Sequence, residues 1–228
     1  MGLSNYYPSS RLSQAGVCTS STRPASPYEG QMIYETDTNR VLVYDNTAWV
    51  MIADTDTPPG VQFITSNTFS AVSSVNVDSC FTSEFSNYLM TINITSVSGA
   101  TGIFLRMRTG GTTNSNSNYG WAGSQSYMGS TILAGINSGG LTTDWKLADQ
   151  DTGTYANTPI SVQVMSPQLS YRTAIFSHGF TPVDPMPYYR TLGGIMSVTT
   201  SYDGFTLVTN SGSFTMSGTV RVYGYRNS

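Results

Sequence analysis

Alternation of apolar and polar residues at every second position is the feature that most limits what this chain can fold into. Met90, Ile92 and Ile94 alternate with Thr and Asn, and residues 103–108 repeat the pattern. A period of two places successive side chains on opposite faces of a β-strand. Turn signals such as Asp203-Gly204 separate the segments. About eight such strands predict an all-β fold over residues 61–228, an antiparallel β-sandwich of the jelly-roll type.

A second β pattern lies earlier, in residues 23–53. Two prolines at its start favour extended or turn backbone. Residues 31–35 and 40–44 are predicted as two strands, joined by a turn at residues 36–39 where Asp and Asn tolerate left-handed backbone. A third strand follows and carries Trp49. This small β-hairpin module cannot bury enough surface to be stable alone, so we expect it to pack against copies of itself or a larger assembly.

The remaining segments are polar. Residues 1–22 are rich in Ser and Thr and are predicted as an extended N-terminal arm, ordered by a partner. Residues 54–60, DTDTPPG, read as a stiff linker. The N-terminus has no basic stretch followed by an apolar one, and no run of about 18 apolar residues occurs anywhere, so we expect neither a signal peptide nor membrane insertion.

Charge is scarce in this chain. Charged residues make up 10% of it, Lys146 is the sole lysine, and the net charge is −3. A nucleic-acid-binding protein normally has a basic face, and none is visible, so no nucleic-acid partner is expected. The surface is solubilised by hydroxyls and amides. This composition fits an ordinary β-rich protein with polar loops, and it also fits a surface that symmetric neighbours cover.

Few side chains suited to catalysis or metal binding occur in the sequence. Cys18 and Cys80 lie in different segments and are expected to be free thiols, unless the N-terminal segment folds back on the main domain. His178 is the only histidine, and no Gly-x-Ser-x-Gly motif accompanies it. A structural or surface role is therefore expected for His178. We expect no metal site and no cofactor.

Carboxylates form two small groups. Asp144, Asp149 and Asp151 lie in one segment, and Asp54 and Asp56 lie in the linker. Paired carboxylates could hydrolyse glycosides if a fold held them at a suitable separation. Asp149 and Asp151 could also offer oxygens to calcium. The LADQDTG context is more typical of solvated turn residues, and that interpretation is favoured.

Four aromatic residues lie in two polar segments that are predicted to be long loops. Aromatic rings stack on sugar faces and nearby Asn and Ser can bind hydroxyls, so these residues are candidates for a receptor-binding surface. Alternatively, the rings anchor the loops on the sandwich or lie between subunits. The aromatic residues are Tyr119, Trp121, Tyr127 and Trp145, and the two segments are residues 110–131 and 135–159.

The hairpin module also resembles a known one. Residues 23–49 follow the pattern RPxxPxEGQxIYETDTxRxLxYxxxxW. This pattern resembles a small module found near the N-termini of tail fibres, head fibres and other minor virion proteins of tailed bacteriophages. The last strand, GTVRVYGYR at residues 218–226, resembles the closing strand of a β-sandwich in the same class of proteins.

The resemblance implies a non-enzymatic virion structural protein. It would be an appendage or decoration, such as a tail fibre, head fibre or capsid decoration protein, assembled in the host cytoplasm and located in the virion. Its partners would be other virion proteins and copies of itself, in a trimer because the resembling fibres are commonly trimeric. The alternatives are a carbohydrate-binding module that recognises a host surface glycan and a glycan hydrolase. The residues expected at the attachment and oligomer interface are Tyr34, Leu42, Tyr44 and Trp49.

Overall fold

The structure is a computed structural model that divides the chain into two compact units, Met1–Pro59 and Gly60–Ser228. The described part of the first unit is called the module and that of the second the sandwich. The first fifteen residues of the expected arm and most of the expected linker lie outside the described residues. The structure describes residues 16–54, 60–129, 133–150, 152, 157–182, 187–210 and 214–226.

The module is a four-stranded sheet whose strands follow chain order. The strands are β1 (Gly16–Cys18), β2 (Met32–Glu35), β3 (Arg40–Tyr44) and β4 (Trp49–Asp54). The three later strands pair antiparallel in the order that the sequence predicts. β1 pairs parallel with β2, so residues 16–18, which were expected to belong to the extended arm, form an edge strand of this sheet.

Buried and partly buried charges hold the first turn of the module. The Glu35 carboxylate is fully buried, and it accepts hydrogen bonds from the Arg23 guanidinium and from the Thr38 hydroxyl. Asp37 accepts hydrogen bonds from the backbone N–H and the hydroxyl of Ser20, at 2.9 and 2.6 Å. Because Ser20 and Arg23 both precede β2, their contacts with Asp37 and Glu35 tie the incoming chain to the hairpin.

Asparagine supplies the left-handed backbone that both module turns need. Asn39 has φ 51° and Asn46 has φ 76°, in the region that Asn adopts more readily than most residues. The Tyr34 hydroxyl donates a hydrogen bond to the Asn39 side chain at 2.8 Å. In the second turn the Asp45 carboxylate accepts hydrogen bonds from the backbone N–H groups of Thr47 and Ala48. The turn residues of the sequence pattern therefore have structural roles inside the module.

Two antiparallel sheets form the sandwich, which confirms the predicted all-β fold. The large sheet has eight strands in the order β11-β10-β15-β14-β13-β7-β17-β5. The small sheet has five, with β12-β8-β16-β6 in order and β9 beside β8. The bounds are β5 (Val61–Val72), β6 (Ser74–Val77), β7 (Phe85–Val97), β8 (Thr101–Thr109), β9 (Thr112–Thr113), β10 (Tyr119–Tyr127), β11 (Leu133–Asn137), β12 (Trp145–Gln150), β13 (Thr158–Met165), β14 (Ala174–Thr181), β15 (Tyr188–Met196), β16 (Gly204–Thr209) and β17 (Met216–Arg226).

The prediction of two long loops is wrong, because residues 110–131 and 135–159 contain β9, β10, β12 and most of β11. These segments are rich in Gly, Ser and Asn. Because Gly and Asn are uncommon in strands, the sequence did not predict the strands here. Close packing requires one of the glycines. A Cβ atom on Gly123 would lie 2.0 Å from the Thr191 carbonyl oxygen of the neighbouring strand. The glycine that weakens the strand signal is thus what allows the pairing.

Aromatic side chains join the two sheets across the core. Tyr119 of the large sheet and Trp145 of the small sheet are both 0% exposed, and their rings meet edge to face with centroids 4.9 Å apart. The Tyr119 hydroxyl accepts a hydrogen bond from the Met107 N–H and donates one to the Asn114 carbonyl. The Trp145 indole N–H donates to the Gly120 carbonyl. Because each buried polar atom of the pair has a partner, the pair adds packing without an unsatisfied group.

Replacing Trp145 by alanine should destabilise the sandwich by roughly 3–5 kcal/mol, because the substitution leaves a cavity between the sheets. Phe176→Ala is the matched control, since Phe176 is exposed on the large sheet, and it should cost about 0.5 kcal/mol or less. Equilibrium unfolding in urea measures both. Equal losses for the two variants would contradict the assignment of Trp145 to the core.

Candidate functional site

The four residues expected at the module interface lie in different environments. Leu42 is only 4% exposed and packs inside the module, so it cannot contact another molecule in this fold. Tyr34, Tyr44 and Trp49 are partly exposed, and the rings of Tyr44 and Trp49 lie 5.4 Å apart. A role in attachment stays a prediction for these three aromatic residues.

Strand β4 is the most apolar exposed strand of the module. Val50, Met51 and Ile52 are 43%, 50% and 54% exposed. β4 is also the edge of the module sheet, so one side of its backbone lacks a neighbouring strand among the described residues. Proteins usually protect such an edge with charges, proline or a covering segment. Since no described segment covers β4, its apolar edge is a candidate site for association with another chain.

The predicted receptor-binding aromatic residues are mostly part of the core. Tyr119 and Trp145 are fully buried, so their assignment to a receptor surface is wrong. Trp121 is partly buried and packs against the core. The Tyr127 ring is partly buried beside Tyr188, with centroids 5.1 Å apart. The alternative, that the rings anchor their segments on the sandwich, describes Tyr119 and Trp145.

Asp149 is held in an ion-pair network and is not a solvated turn residue. Its carboxylate lies 2.7 Å from the Lys146 ammonium and 2.8 Å from the Arg190 guanidinium, and it accepts a hydrogen bond from the Tyr188 hydroxyl. Burial raises the pKa of Asp149, but the hydrogen bond from Lys146 and the charge of Arg190 outweigh that effect, and the pKa lies below its usual range. This network links β12 of the small sheet to β15 of the large sheet.

The other candidate carboxylates do not form a described catalytic pair. Asp144 pairs with Arg106 at 3.0 Å, and Asp54 pairs with Arg40 at 3.3 Å. Asp56 and Asp151 lie outside the described residues. The described candidate carboxylates Asp54, Asp144 and Asp149 are therefore engaged in ion pairs with Arg or Lys.

The outer face of the large sheet carries a straight row of polar side chains. Cross-strand pairing places one polar side chain from each of seven neighbouring strands in direct register. The hydroxyls of Ser124 and Thr191, at one end of the row, lie 3.1 Å apart. In order across the sheet, this polar row is Ser66, Arg221, Thr91, Ser161, His178, Thr191 and Ser124.

The large sheet contains no acidic residue in any of its eight strands. Its strands contain no lysine either, and their cations are Arg190, Arg221 and Arg226. Arg190 pairs with Asp149, and Arg226 pairs with Glu84. The outward-facing Arg221 is therefore the charged side chain of this face that has no carboxylate nearby among the described residues. The acidic residues that give the chain its net negative charge lie elsewhere.

A shallow groove follows the middle of the polar row. Its volume is about 440 Å³, within the range of small-ligand sites. Thr91, Ser161, His178 and Arg221 line one side. The adjacent row of the sheet forms the other side. The groove, called the furrow below, is bounded there by Asn93, Pro159, Phe180 and Tyr189.

Sequence reasoning missed the furrow. The signal was present in part, because Thr91, Ser161 and Arg221 each lie between buried apolar residues of a strand. His178 was expected to have a structural or surface role, and it lies exposed on the outer face of β14. Placing His178 beside Ser161 and Thr191 requires the cross-strand register, which alternation within one strand does not give.

Both thiols are free in this structure. Cys80 is buried, and burial raises its pKa to about 12. The pKa of Cys18 is raised by burial and by the nearby Glu35 carboxylate. Since the thiolate is the reactive form, neither cysteine is in a setting that favours nucleophilic chemistry.

Comparisons with known proteins found no relative of this chain. No protein-family model, curated protein or solved structure matches this chain. Among the described residues, no group of three or more His, Cys, Asp or Glu side chains could hold a metal ion. In the same residues no helix is long and apolar enough to cross a membrane.

Acid should weaken the module through Glu35. The hydrogen bond from Arg23 lowers the pKa of Glu35 below its usual range, so this contact stabilises the module above a pH of about 4.3 and is lost as the pH falls through the lowered value. The amide protection factors of residues 32–44, which correct for the slower intrinsic exchange in acid, should therefore fall as the pH drops. Glu35→Gln should exchange faster at neutral pH and depend less on acid, whereas Glu29→Gln, at an exposed site, should follow the wild type. Identical pH profiles for all three proteins would exclude the role of Glu35.

Proposed function

We propose that this chain is a non-enzymatic structural protein of a tailed-bacteriophage virion, an appendage or decoration such as a tail fibre, head fibre or capsid decoration protein. The module attaches it to other virion proteins or to copies of the same chain, and the sandwich is displayed. The resemblance of residues 23–49 to a phage module is one support for this proposal. The other is the exposed apolar edge of the module.

The observation that carries the proposal is strand β4. A small soluble unit gains nothing from exposing Val50, Met51 and Ile52 side by side on an edge, because the edge invites uncontrolled pairing. The same edge serves a unit that pairs with a defined partner, since strand addition supplies backbone hydrogen bonds and burial of the apolar side chains supplies affinity. A trimer of this chain, as in the resembling fibres, is the proposed assembly.

The chemistry of the sandwich supports a structural rather than hydrolytic role. Glycoside hydrolysis generally uses two carboxyl groups that face each other across a groove. The strands of the large sheet offer none to the furrow. The described carboxylates of the candidate segments are instead paired with Arg or Lys.

Mass spectrometry of virus particles tests the proposal directly. Particles of the virus that encodes this chain are purified on a density gradient, and their proteins are identified. The chain should be present in stoichiometric amounts and should remain after washing in high salt, since apolar contacts are weakly screened. Its absence from intact particles would overturn the proposal.

A second candidate function is recognition of a host surface carbohydrate. The observation that favours it is the exposed outer face of the large sheet, whose strands contain no acidic residue and whose furrow is lined by hydroxyl, imidazole and aromatic side chains. The two functions are compatible, because a displayed sandwich can also bind a receptor.

Charges introduced on β4 should prevent attachment. In the full chain, Val50→Lys with Ile52→Lys places two ammonium groups on exposed positions of β4, so the fold should remain. Analytical ultracentrifugation should find the wild type assembled and the variant monomeric, and the variant should be missing from particles.

The matched control replaces two exposed apolar residues of the sandwich, Leu169→Lys with Tyr171→Lys. It should assemble and enter particles as the wild type does. Normal incorporation of the β4 variant would show that another surface attaches the chain.

A further inference from the structure

We infer that the furrow on the outer face of the large sheet binds a linear acidic saccharide that lies across the strands. The inference rests on the second candidate function and gives it a site and a ligand class. It does not depend on attachment through the module.

The spacing of the polar row suits a linear polymer. Neighbouring strands of a sheet lie about 4.8 Å apart, so successive side chains of the row repeat at about that distance. One sugar ring of a linear polysaccharide has a similar length. Arg221, Thr91, Ser161 and His178 can therefore each meet a different part of successive sugar units. The groove runs along this row, perpendicular to the strands.

The furrow has unused hydrogen-bonding capacity. Within the described residues the side chains of Thr91, Ser161, His178, Tyr189 and Arg221 make no hydrogen bond or ion pair. These groups include hydroxyls that both donate and accept, and a guanidinium that donates in a planar fork. Such a mixture matches the hydroxyl groups of a sugar, which also donate and accept.

The opposite wall is apolar and partly flat. Tyr189 is 46% exposed and pairs across the sheet with Phe180, and Pro159 lies beside them in the furrow. Sugar rings have faces that carry only C–H groups, and these faces pack on aromatic rings. A wall of this kind and a row of hydroxyls on the other side would contact the apolar face and the polar edge of one sugar chain together.

The positive charge of Arg221 favours an acidic ligand. Arg221 is exposed on a sheet without a single Asp or Glu in its strands. A guanidinium binds a carboxylate or sulfate with strong, charge-assisted hydrogen bonds. An acid group on the saccharide supplies the counter-charge that the face itself lacks.

The same charge argument disfavours a second copy as the occupant. Two copies packed face to face around a two-fold axis would each present the same strands, which contain no Asp or Glu. Arg221 of each copy would then be buried against strands without an acidic residue, which costs free energy. An extended peptide is also disfavoured, because peptides gain most of their affinity from the backbone at a sheet edge and not from its face.

Calorimetric titration of the full chain tests the inference. The probes are a linear galacturonate octamer, which carries carboxylates, a heparin octasaccharide, which carries sulfates, and neutral maltooctaose. At least one acidic probe should bind, and maltooctaose should bind at least about tenfold more weakly. Arg221→Gln and Tyr189→Ala should each weaken the acidic probe by about tenfold or more.

The chain provides matched controls outside the furrow. Arg172 and Tyr171 are neighbouring exposed residues on the loop before β14. Arg172→Gln and Tyr171→Ala should leave binding unchanged. Thermal unfolding of all four variants should match the wild type because the replaced side chains are exposed or partly exposed, and Arg221→Lys should retain part of the affinity.

Each other outcome is decisive. Binding that survives Arg221→Gln and Tyr189→Ala would overturn this site and leave glycan recognition to another surface. Equal binding of maltooctaose would overturn the acidic specificity. If none of the three probes binds, both the inference and the second candidate function are overturned, but virion attachment is not. Self-association that disappears in Arg221→Gln would identify a second copy as the occupant and would also overturn the inference.

Discussion

The register of the large sheet is the constraint on which both the core and the furrow depend. In β7, Met90 and Ile92 point to the core, so Thr91 must point outward. A slip of one residue would bury the hydroxyl and expose the methionine and isoleucine. Because burial of the apolar residues is strongly favourable, the core fixes the register, and the register then aligns the polar row across seven strands.

The module is held together in a different way. It has few buried apolar side chains, with Ile33 and Leu42 the apolar ones. Its turns are fixed instead by carboxylates that accept hydrogen bonds from neighbouring segments, above all the buried Glu35. A buried ion pair adds little stability compared with apolar packing, although removing one of its partners is costly. The apolar surface that would add stability is exposed on β4, which is why a partner chain is part of the proposed function.

The sequence predicted much of this fold because local signals were strong. The three antiparallel strands of the module and its first turn follow from alternation and from the Asp and Asn residues of the turn, whereas β1 was expected to belong to the extended arm. In the sandwich, β7 and β8 have the clearest period of two. β10 and β11 were missed, because their Gly and Ser residues give no apolar alternation and the strands are stabilised by backbone pairing with distant segments. Strand pairing of that kind is not a local property.

The candidate sites were harder to predict than the fold. Trp145 was placed on a receptor surface because its neighbours are polar, but its ring is inserted between the sheets. Asp149 was expected in a solvated turn, and its partner Arg190 lies 41 residues away in the sequence. Thr91, Ser161, His178 and Arg221 come from four different strands. In each case the missing information was which distant residue lies opposite, and alternation within one segment cannot supply it.

Hydrogen exchange on assembled particles tests whether the apolar edge of the module is where this chain joins its partners. Amides of residues 49–54 should exchange quickly in the dissociated chain and be strongly protected in particles, because a neighbouring strand then covers the edge. Strands of the large sheet should exchange equally in both states. Unchanged exchange of residues 49–54 on assembly would show that the chain joins its partners through another surface.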